Sequence, residues 1–232
     1  MLSSAQKADV SLSCVNLAKT YAAERGEIEA VKGIDLKVQA GEFASIVGRS
    51  GSGKSSFLAM IGGLSRPSRG SVRIGDTDIW ALSDDQLAEF RNRRVGFVYQ
   101  FASLLPTLRI IDNVVLPARL DPAKDVVAAF GRARELLDQF GLSDHLDAYP
   151  SEISSGEQRR AVIARALINE PALLLADEPT SDLDEVSETQ IVEWFRGLNR
   201  GRALTLIMVT HNLRLAEQAD RVIHIADGRL AP

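Results

Sequence analysis

Residues 48–55 read GRSGSGKS and match the pattern G-x-x-x-x-G-K-[ST], in which a glycine-rich loop binds phosphate groups. The apolar stretch EFASIVG at residues 42–48 leads into this loop and predicts a strand, and the chain from Lys54 onward has the apolar spacing of a helix. Between a strand and a helix, the backbone N–H groups of the loop can turn inward around phosphate oxygens. The stretch therefore predicts a nucleoside triphosphate site in an α/β fold.

This loop supplies most of the predicted nucleotide contacts. Lys54 can reach the β- and γ-phosphates, and the Ser55 hydroxyl can ligate Mg²⁺. A glycine-rich turn that contains Lys-Ser by chance is the alternative, and the position between a strand and a helix disfavours it. The predicted nucleotide-binding residues of the loop are Gly48, Arg49, Ser50, Gly51, Ser52, Gly53, Lys54, Ser55 and Ser56.

A second apolar stretch, LLLADE at residues 173–178, predicts a buried strand that ends in two carboxylates. Ligands of open α/β sheets bind at the carboxyl ends of the strands, so both carboxylates are expected beside the phosphates. We expect Asp177 to hold Mg²⁺, directly or through water, and Glu178 to polarise the attacking water. An acidic turn after a core strand is the alternative, and the phosphate loop makes it the weaker one.

The pattern of strands and helices predicts how the rest of the chain is organised. Residues 11–47 favour a small β-rich opening, and after residue 150 predicted strands alternate with helices, which is typical of a parallel sheet covered on both faces. Between these parts, residues 101–150 are punctuated by Pro106, Pro117 and Pro122. The helical periodicity near the end of this stretch indicates a mostly helical insertion.

The composition describes a chain that can bury a core, and it limits the possible partners. There are 232 residues, 45% of them hydrophobic, and 27 Lys+Arg against 31 Asp+Glu give a net charge of −4. This length fits one large domain. A slightly acidic chain disfavours a nucleic-acid partner, because binding nucleic-acid phosphates usually needs a strongly basic surface. The apolar runs are too short to cross a bilayer, and the single cysteine, Cys14, is predicted to be a core residue.

Two neighbouring stretches resemble parts of the ATP-binding cassette (ABC) ATPases. SSGEQRRAVIARAL at residues 154–167 resembles the signature region, and LLLADEPTSDLD at residues 173–184 resembles the Walker B region. The resemblance covers residues 11–230 and implies one ABC ATPase domain that uses ATP and Mg²⁺. It implies an α/β fold of P-loop NTPase type with an N-terminal antiparallel β subdomain. A helical subdomain insertion is expected over residues 101–150, with the signature helix extending it to residue 168.

The resemblance assigns three further residues to the nucleotide site. Tyr21 corresponds to the aromatic residue that stacks on adenine, Gln100 to the glutamine that reaches Mg²⁺ and the attacking water, and His211 to the switch histidine that contacts the γ-phosphate. Taken singly, Tyr21 could be ordinary strand packing, and His211 could be a surface or core imidazole. Gln100 and His211, together with Lys54 and Glu178, form the predicted catalytic set.

The signature segment implies a dimer. In the family, residues at the positions of Ser154, Gly156 and Glu157 cap the γ-phosphate bound to the other subunit, and the loop ending at Asp184 joins the two sites. Hydrolysis then requires a second ATPase subunit, for which a homodimer is expected and a different cassette stays open. Ser155 departs from the usual Leu-Ser-Gly-Gly, and its side chain could slow turnover. We expect an active enzyme, the alternative being an inactive structural cassette.

The apolar residues 101–108, FASLLPTL, predict a surface for a membrane partner, a small local core being the alternative. Residues 99–117, YQFASLLPTLRIIDNVVLP, are similar to the cassettes of lipoprotein-release and macrolide-export systems, which work with transmembrane permease subunits. The resemblance implies a peripheral ATPase on the cytoplasmic face of the inner membrane that powers an exporter or an envelope mechanotransmission complex. A regulator of an envelope or cell-division partner, and a soluble ABC ATPase of DNA repair or translation, are the alternatives.

Overall fold

The computed structural model describes residues 12–23, 26–202 and 204–231, and residue 11, the expected start of the domain, lies outside these ranges. The strands are β1 (Leu12–Ala23), β2 (Gly26–Val38), β3 (Phe43–Val47), β4 (Arg69–Ile74), β5 (Thr77–Asp78), β6 (Val95–Val98), β7 (Leu173–Asp177), β8 (Thr205–Val209), β9 (Arg221–Ala226) and β10 (Arg229–Ala231). The helices are α1 (Lys54–Ile61), α2 (Asp84–Arg94), α3 (Ile110–Arg119), α4 (Val126–Gln139), α5 (Ser155–Leu167), α6 (Glu185–Arg202) and α7 (Leu213–Ala216). No helix in the described part of the chain is both long and apolar enough to cross a membrane.

The larger sheet has the strand order β10-β9-β3-β8-β7-β6 and is parallel except where β10 pairs with β9. Strands β3 and β8 are buried along their whole length, as expected when helices or a second sheet cover both faces. In β7, Leu174 and Ala176 pack with α3 to α6, whereas Leu173 and Leu175 pack with α1 and the smaller sheet. The predicted parallel sheet covered on both faces is confirmed.

The smaller sheet is antiparallel, with the strand order β2-β1-β4-β5. Leu12 in β1 lies opposite Val38 in β2 and Ile74 in β4, and all three side chains are buried. Cys14 lies two residues further along β1 and is also buried, which confirms the predicted core position and raises the pKa of its thiol to about 12. The β-rich opening of the chain thus forms a sheet whose buried face packs with α1 against the larger sheet.

Residues 101–150 contain α3 and α4, which pack against each other and against α5. Asn113 in α3 is fully buried, and its side-chain nitrogen donates to the carbonyl oxygens of Leu105 and Leu108, both at 3.0 Å, and of Arg109 at 3.1 Å. Its side-chain oxygen accepts from the Leu105 amide at 2.7 Å. A single side chain therefore holds the backbone of the segment that precedes α3.

An ion pair joins the end of α3 to α2. Arg93 donates from Nε and Nη2 to the two carboxylate oxygens of Asp121, at 2.7 and 2.8 Å. Asp121 is 5% exposed. The Arg93 guanidinium, helped by the backbone amide of Ala123, lowers the pKa of the Asp121 carboxyl to about 2. This two-point contact fixes the helical insertion against the core at the point where α3 ends.

Two features of the chain differ from the prediction. Pro117 does not interrupt α3 but lies inside it, in the last turn, where its missing N–H removes one helical hydrogen bond and the helix ends two residues later. Strand β10 was not predicted, and it forms because Asp227 and Gly228 adopt positive φ angles of 48° and 75° and reverse the chain onto β9. Both differences lie outside the predicted nucleotide site.

Candidate nucleotide-binding and catalytic site

The phosphate loop lies between the end of β3 and the start of α1, as the sequence pattern predicts. Gly51 and Gly53 have φ angles of 77° and 100°, a region that side chains other than glycine rarely adopt. Lys54 is 8% exposed, and its ammonium donates to the carbonyl oxygens of Gly48 at 2.8 Å and Arg49 at 3.0 Å. The first turn of α1 holds no acidic residue, so the helix N-terminus and Lys54 together favour an anion.

Substituting Gly53 with alanine tests how tightly this loop packs. A Cβ atom at residue 53 would lie 2.2 Å from the carbonyl oxygen of Ala30 in β2, and the residue would keep its φ of 100°. We expect the Gly53→Ala variant to lose about 2–4 kcal/mol of unfolding free energy, because backbone strain and overpacking add. Urea unfolding in the absence of nucleotide measures the loss.

Gly51→Ala is the matched control for that substitution. Gly51 also has a positive φ, of 77°, but a Cβ atom there would meet nothing within 4 Å. Only the backbone strain remains, so we expect a loss of about 1–2 kcal/mol. Equal losses for the two variants would contradict the packing explanation.

Tyr21 lies beside the start of α1. Its hydroxyl donates to the Ser56 hydroxyl at 3.2 Å, and the Lys19 ammonium lies 5.2 Å from the centre of its ring. The residue is 40% exposed, so part of the ring surface is open to a ligand. An aromatic face next to the phosphate loop is suited to stacking on a purine base.

Asp177 ends β7 and faces the start of α1. Its Oδ1 atom is buried and lacks a hydrogen-bond partner among the described residues. Burial raises the pKa of the Asp177 carboxyl, and the Ser55 hydrogen bond acts against that shift. An orphaned carboxylate oxygen next to a hydroxyl fits the oxygen ligands that Mg²⁺ prefers. No cluster of three or more His, Cys, Asp or Glu suited to a metal occurs in the described ranges.

Glu178 and His211 are brought together at the ends of two neighbouring strands. The Glu178 Oε2 atom lies 2.9 Å from His211 Nδ1 and accepts from the His211 amide at 3.3 Å. The Glu178 amide donates to the carbonyl oxygen of Val209 at the end of β8, at 2.9 Å. Glu178 has a φ of 46°, in the left-handed region, so the neighbouring structure holds its backbone in an uncommon conformation. Strain of this kind is typical of functional positions.

The Gln100 side chain is not joined to the carboxylates in the described residues. Gln100 is exposed, and no hydrogen bond links its amide group to Ser55 or Asp177 within the described ranges. Its backbone carbonyl, however, accepts from Arg159 in α5 at 2.5 Å and from the Ser181 hydroxyl at 3.4 Å. The structure therefore places the backbone of Gln100 without bringing its side chain to the predicted metal ligands.

The predicted signature residues form the N-terminus of α5. Ser154 is the N-cap, and its hydroxyl oxygen accepts from the Glu157 amide at 3.3 Å. Glu157 in turn accepts from the amide of Ser154 at 2.8 Å and from its hydroxyl at 2.7 Å, and these hydrogen bonds lower the pKa of the Glu157 carboxyl. A Cβ atom at Gly156 would meet only the Ser187 hydroxyl, at 3.8 Å. The exposed Ser155 is the first residue of the helix, so the departure from the family pattern leaves the helix start intact.

Asp184, the predicted dimer-linking residue, caps α6. Its Oδ1 atom accepts from the amides of Val186 and Ser187, both at 3.0 Å, and its Oδ2 atom accepts from the Ser187 hydroxyl at 2.7 Å. These bonds lower the pKa of the Asp184 carboxyl. The residue thus fixes the end of the loop that follows Glu178.

Sequence reasoning missed one residue of this region, Arg159. It is 5% exposed, and it shares the buried face of α5 with Ile163 and Leu167 at four-residue spacing. A charged residue on the apolar face of a helix is the signal that could have identified it.

Comparison with known proteins decides the family. The family model described as ABC transporter matches residues 31–181. The chain belongs to the ABC transporter family. The predicted α/β fold of ABC type is confirmed, because solved ABC cassettes superimpose on nearly the whole chain.

Relatives in the ABC family match over almost their full length. The lipoprotein-releasing system ATP-binding protein LolD of Geobacter metallireducens is 44% identical, covering 94% of this chain and 97% of that protein. The protein of the same name in Myxococcus xanthus is 41% identical, covering 95% of this chain and 98% of that protein. The dimeric ATP-binding cassette MJ0796, solved in a post-hydrolysis state with ADP and Pi, superimposes with a TM-score of 0.89 at 36% identity. The match covers 95% of this chain and 97% of that chain. This chain is accordingly an ABC ATPase that binds and hydrolyses ATP.

Proposed function

We propose that this ABC ATPase is the ATP-hydrolysing subunit of a lipoprotein-releasing export system, as a peripheral protein on the cytoplasmic face of the inner membrane. The observation that carries the ATP-hydrolysing role is the Glu178–His211 pair, in which Glu178 directly follows Asp177. The lipoprotein-releasing names of the relatives and their full-length match support the choice of system.

The chemistry follows from the placement of these groups. The amides of the phosphate loop and the Lys54 ammonium would bind the phosphates, with Ser55 and Asp177 holding Mg²⁺ between them and Gln100 as a further ligand. Mg²⁺ would neutralise charge that builds on the phosphate oxygens during transfer. Glu178 would accept the proton of the attacking water, and His211, held 2.9 Å away, would orient that carboxylate and contact the γ-phosphate.

The second half of each site would come from another ATPase subunit, in a homodimer. The N-terminus of α5, with Ser154 and Gly156, would present its free N–H groups to the γ-phosphate bound by the partner subunit. The dimeric state of the solved relative MJ0796 supports this arrangement. The capped loop that ends at Asp184 runs from Glu178 to α6 and would carry changes at one site to the other.

The docking surface for the transmembrane permease is proposed at residues 101–108. Phe101 is 72% exposed and Leu105 is 43% exposed, whereas Leu104 is buried in the core of the helical insertion. The segment therefore offers exposed apolar side chains to a partner and places one side chain in a local core. A cleft with a cavity volume of about 960 Å³ is lined by Tyr99, which precedes the segment, and by Arg165, which donates to Ser103 within it. We propose that residues 101–150 act as a helical subdomain that receives an apolar helix of the permease in this cleft.

Replacing Phe101 tests the membrane-partner proposal. We expect the Phe101→Asp variant to recover at least about tenfold less permease from detergent-solubilised membranes, because a charge replaces the main exposed apolar side chain. Val127→Asp is the matched control: Val127 is 81% exposed in α4, away from the segment. Quantitative mass spectrometry of the co-purified proteins measures the recovery. Recovery of only soluble partners, or equal permease recovery for both variants, would contradict the proposal.

A further inference from the structure

Arg159 is buried, and no carboxylate of the described ranges forms an ion pair with it. Its Nη1 atom donates to the carbonyl oxygen of Tyr99 and its Nη2 atom donates to the carbonyl oxygen of Gln100, both at 2.5 Å. Its Nε atom is buried and has no hydrogen-bond partner among the described residues. The guanidinium therefore holds two consecutive backbone carbonyls at the end of β6.

This arrangement is energetically costly, because burial takes a charged group out of water. Burial lowers the pKa of Arg159, while the charge of Asp182 partly offsets that shift. An apolar side chain would fill the same helix face, beside Ile163 and Leu167, without this cost. The presence of an arginine here is thus better explained by the two backbone carbonyls that it holds than by a contribution to stability.

The Gln100 carbonyl connects three parts of the structure. It follows β6, it accepts from Arg159 in α5, and it accepts from Ser181 in the loop after Glu178. The Ser181 amide in turn donates to the carbonyl oxygen of Glu178 at 3.2 Å, and that oxygen also lies 3.1 Å from the Ser181 hydroxyl, whose single hydrogen the two carbonyls share. A short chain of hydrogen bonds therefore runs from the signature helix through Gln100 to Glu178.

We propose that Arg159 is a positioning residue that clamps the backbone of Gln100 to the signature helix, so that the Gln100 side chain enters the nucleotide site only together with the N-terminus of α5. The inference rests on the proposed function in one respect, namely that Gln100 acts on Mg²⁺ or the attacking water. The two terminal nitrogens of Arg159 donate to backbone carbonyls, so Arg159 acts through the backbone of Gln100. It sets the distance between the glutamine and the helix that carries Ser154 and Gly156.

A double-mutant cycle tests the clamp. We expect Arg159→Met to lower kcat by about tenfold to a hundredfold, since misplacing a reacting group by about 1 Å has an effect of that order. The Kd for ATP should stay within about twofold, because Arg159 makes no contact with the phosphate loop. If Arg159 acts through Gln100, the double variant Arg159→Met/Gln100→Ala should have the kcat of Gln100→Ala alone. Arg159→Lys, which keeps a charged donor, should restore part of the rate.

Arg165 supplies the matched control on the same helix. It donates to the carbonyl oxygen and the hydroxyl of Ser103, at 2.7 and 2.6 Å, and so holds the same segment beyond Gln100. We expect the effects of Arg165→Met and Gln100→Ala on kcat to multiply. If the effects of Arg159→Met and Gln100→Ala on kcat also multiply, and Arg159→Lys restores none of the rate, the proposal is overturned. The ATPase function would still stand.

Hydrogen exchange tests the clamp without any hydrolysis. In Arg159→Met, we expect the amides of residues 98–103 to exchange at least about tenfold faster, while those of α1 keep their wild-type rates. Unchanged exchange in residues 98–103 would overturn the proposal. A wild-type protein without ATPase activity would count against the proposed function, and the exchange result would still decide the clamp.

Discussion

ATP hydrolysis by the Glu178→Gln variant is expected to fall by at least about a hundredfold in kcat, which is the usual contribution of a general base. The glutamine keeps the size of the side chain and an oxygen that can accept from the His211 amide, which now donates to Glu178 at 3.3 Å. The amide cannot take a proton from water at neutral pH. The chain should therefore still bind ATP and assemble, but fail at the chemical step.

Phosphate release by the purified subunit, and by the assembled membrane complex, measures this loss. Glu170→Gln is the matched control, because Glu170 is also a glutamate with a positive φ, of 55°, and it lies before β7 rather than after it. That variant should hydrolyse ATP at the wild-type rate. Equal rates for Glu178→Gln and the wild type would show that another group activates the water, or that the measured activity is a contaminant.

Loss of nucleotide binding is the expected result for Lys54→Met. The Lys54 ammonium is nearly buried and is held between the Gly48 and Arg49 carbonyl oxygens, at the place where phosphates would bind. Methionine keeps the apolar stem and removes the charge. Removing a desolvated charge from an ionic contact costs about 2–5 kcal/mol, so we expect the Kd for ATP to rise by at least about thirtyfold.

Equilibrium binding of a fluorescent ATP analogue measures this change. Lys124→Met, which removes an exposed lysine between α3 and α4, is the control and should leave the Kd unchanged. These two variants also separate binding from chemistry, since Glu178→Gln should bind the analogue and Lys54→Met should not. An unchanged Kd for Lys54→Met would place the phosphates elsewhere.

The parts of the fold that local sequence determines were predictable. The phosphate loop was identified because its glycines, Lys54 and the flanking strand and helix lie within one short stretch. Strand β7 was identified because four consecutive apolar residues precede the carboxylates of Asp177 and Glu178. Strand β10 has only three residues, too few to show a period, yet the Asp227-Gly228 pair before it was an available hairpin signal.

The parts of the site that depend on distant contacts were not predictable. The sequence cannot show that the Gln100 carbonyl meets Arg159, because the two residues are 59 positions apart. The Glu157 and Asp184 carboxylates lie at positions predicted to face the second subunit. The sequence could not show that they also form hydrogen bonds at the starts of α5 and α6. Residue identity predicted the chemistry of these groups, and tertiary packing determines which atoms remain free to perform it.

The four hydrogen bonds of Asn113 have a consequence for the speed of assembly. Because they order the backbone of residues 105–109 before any partner arrives, the proposed permease surface loses little conformational entropy on binding. A preformed surface can associate in a single step, without a slow rearrangement after encounter. The encounter between this subunit and a membrane partner would then be set by diffusion and orientation, with the folding of the docking segment already complete.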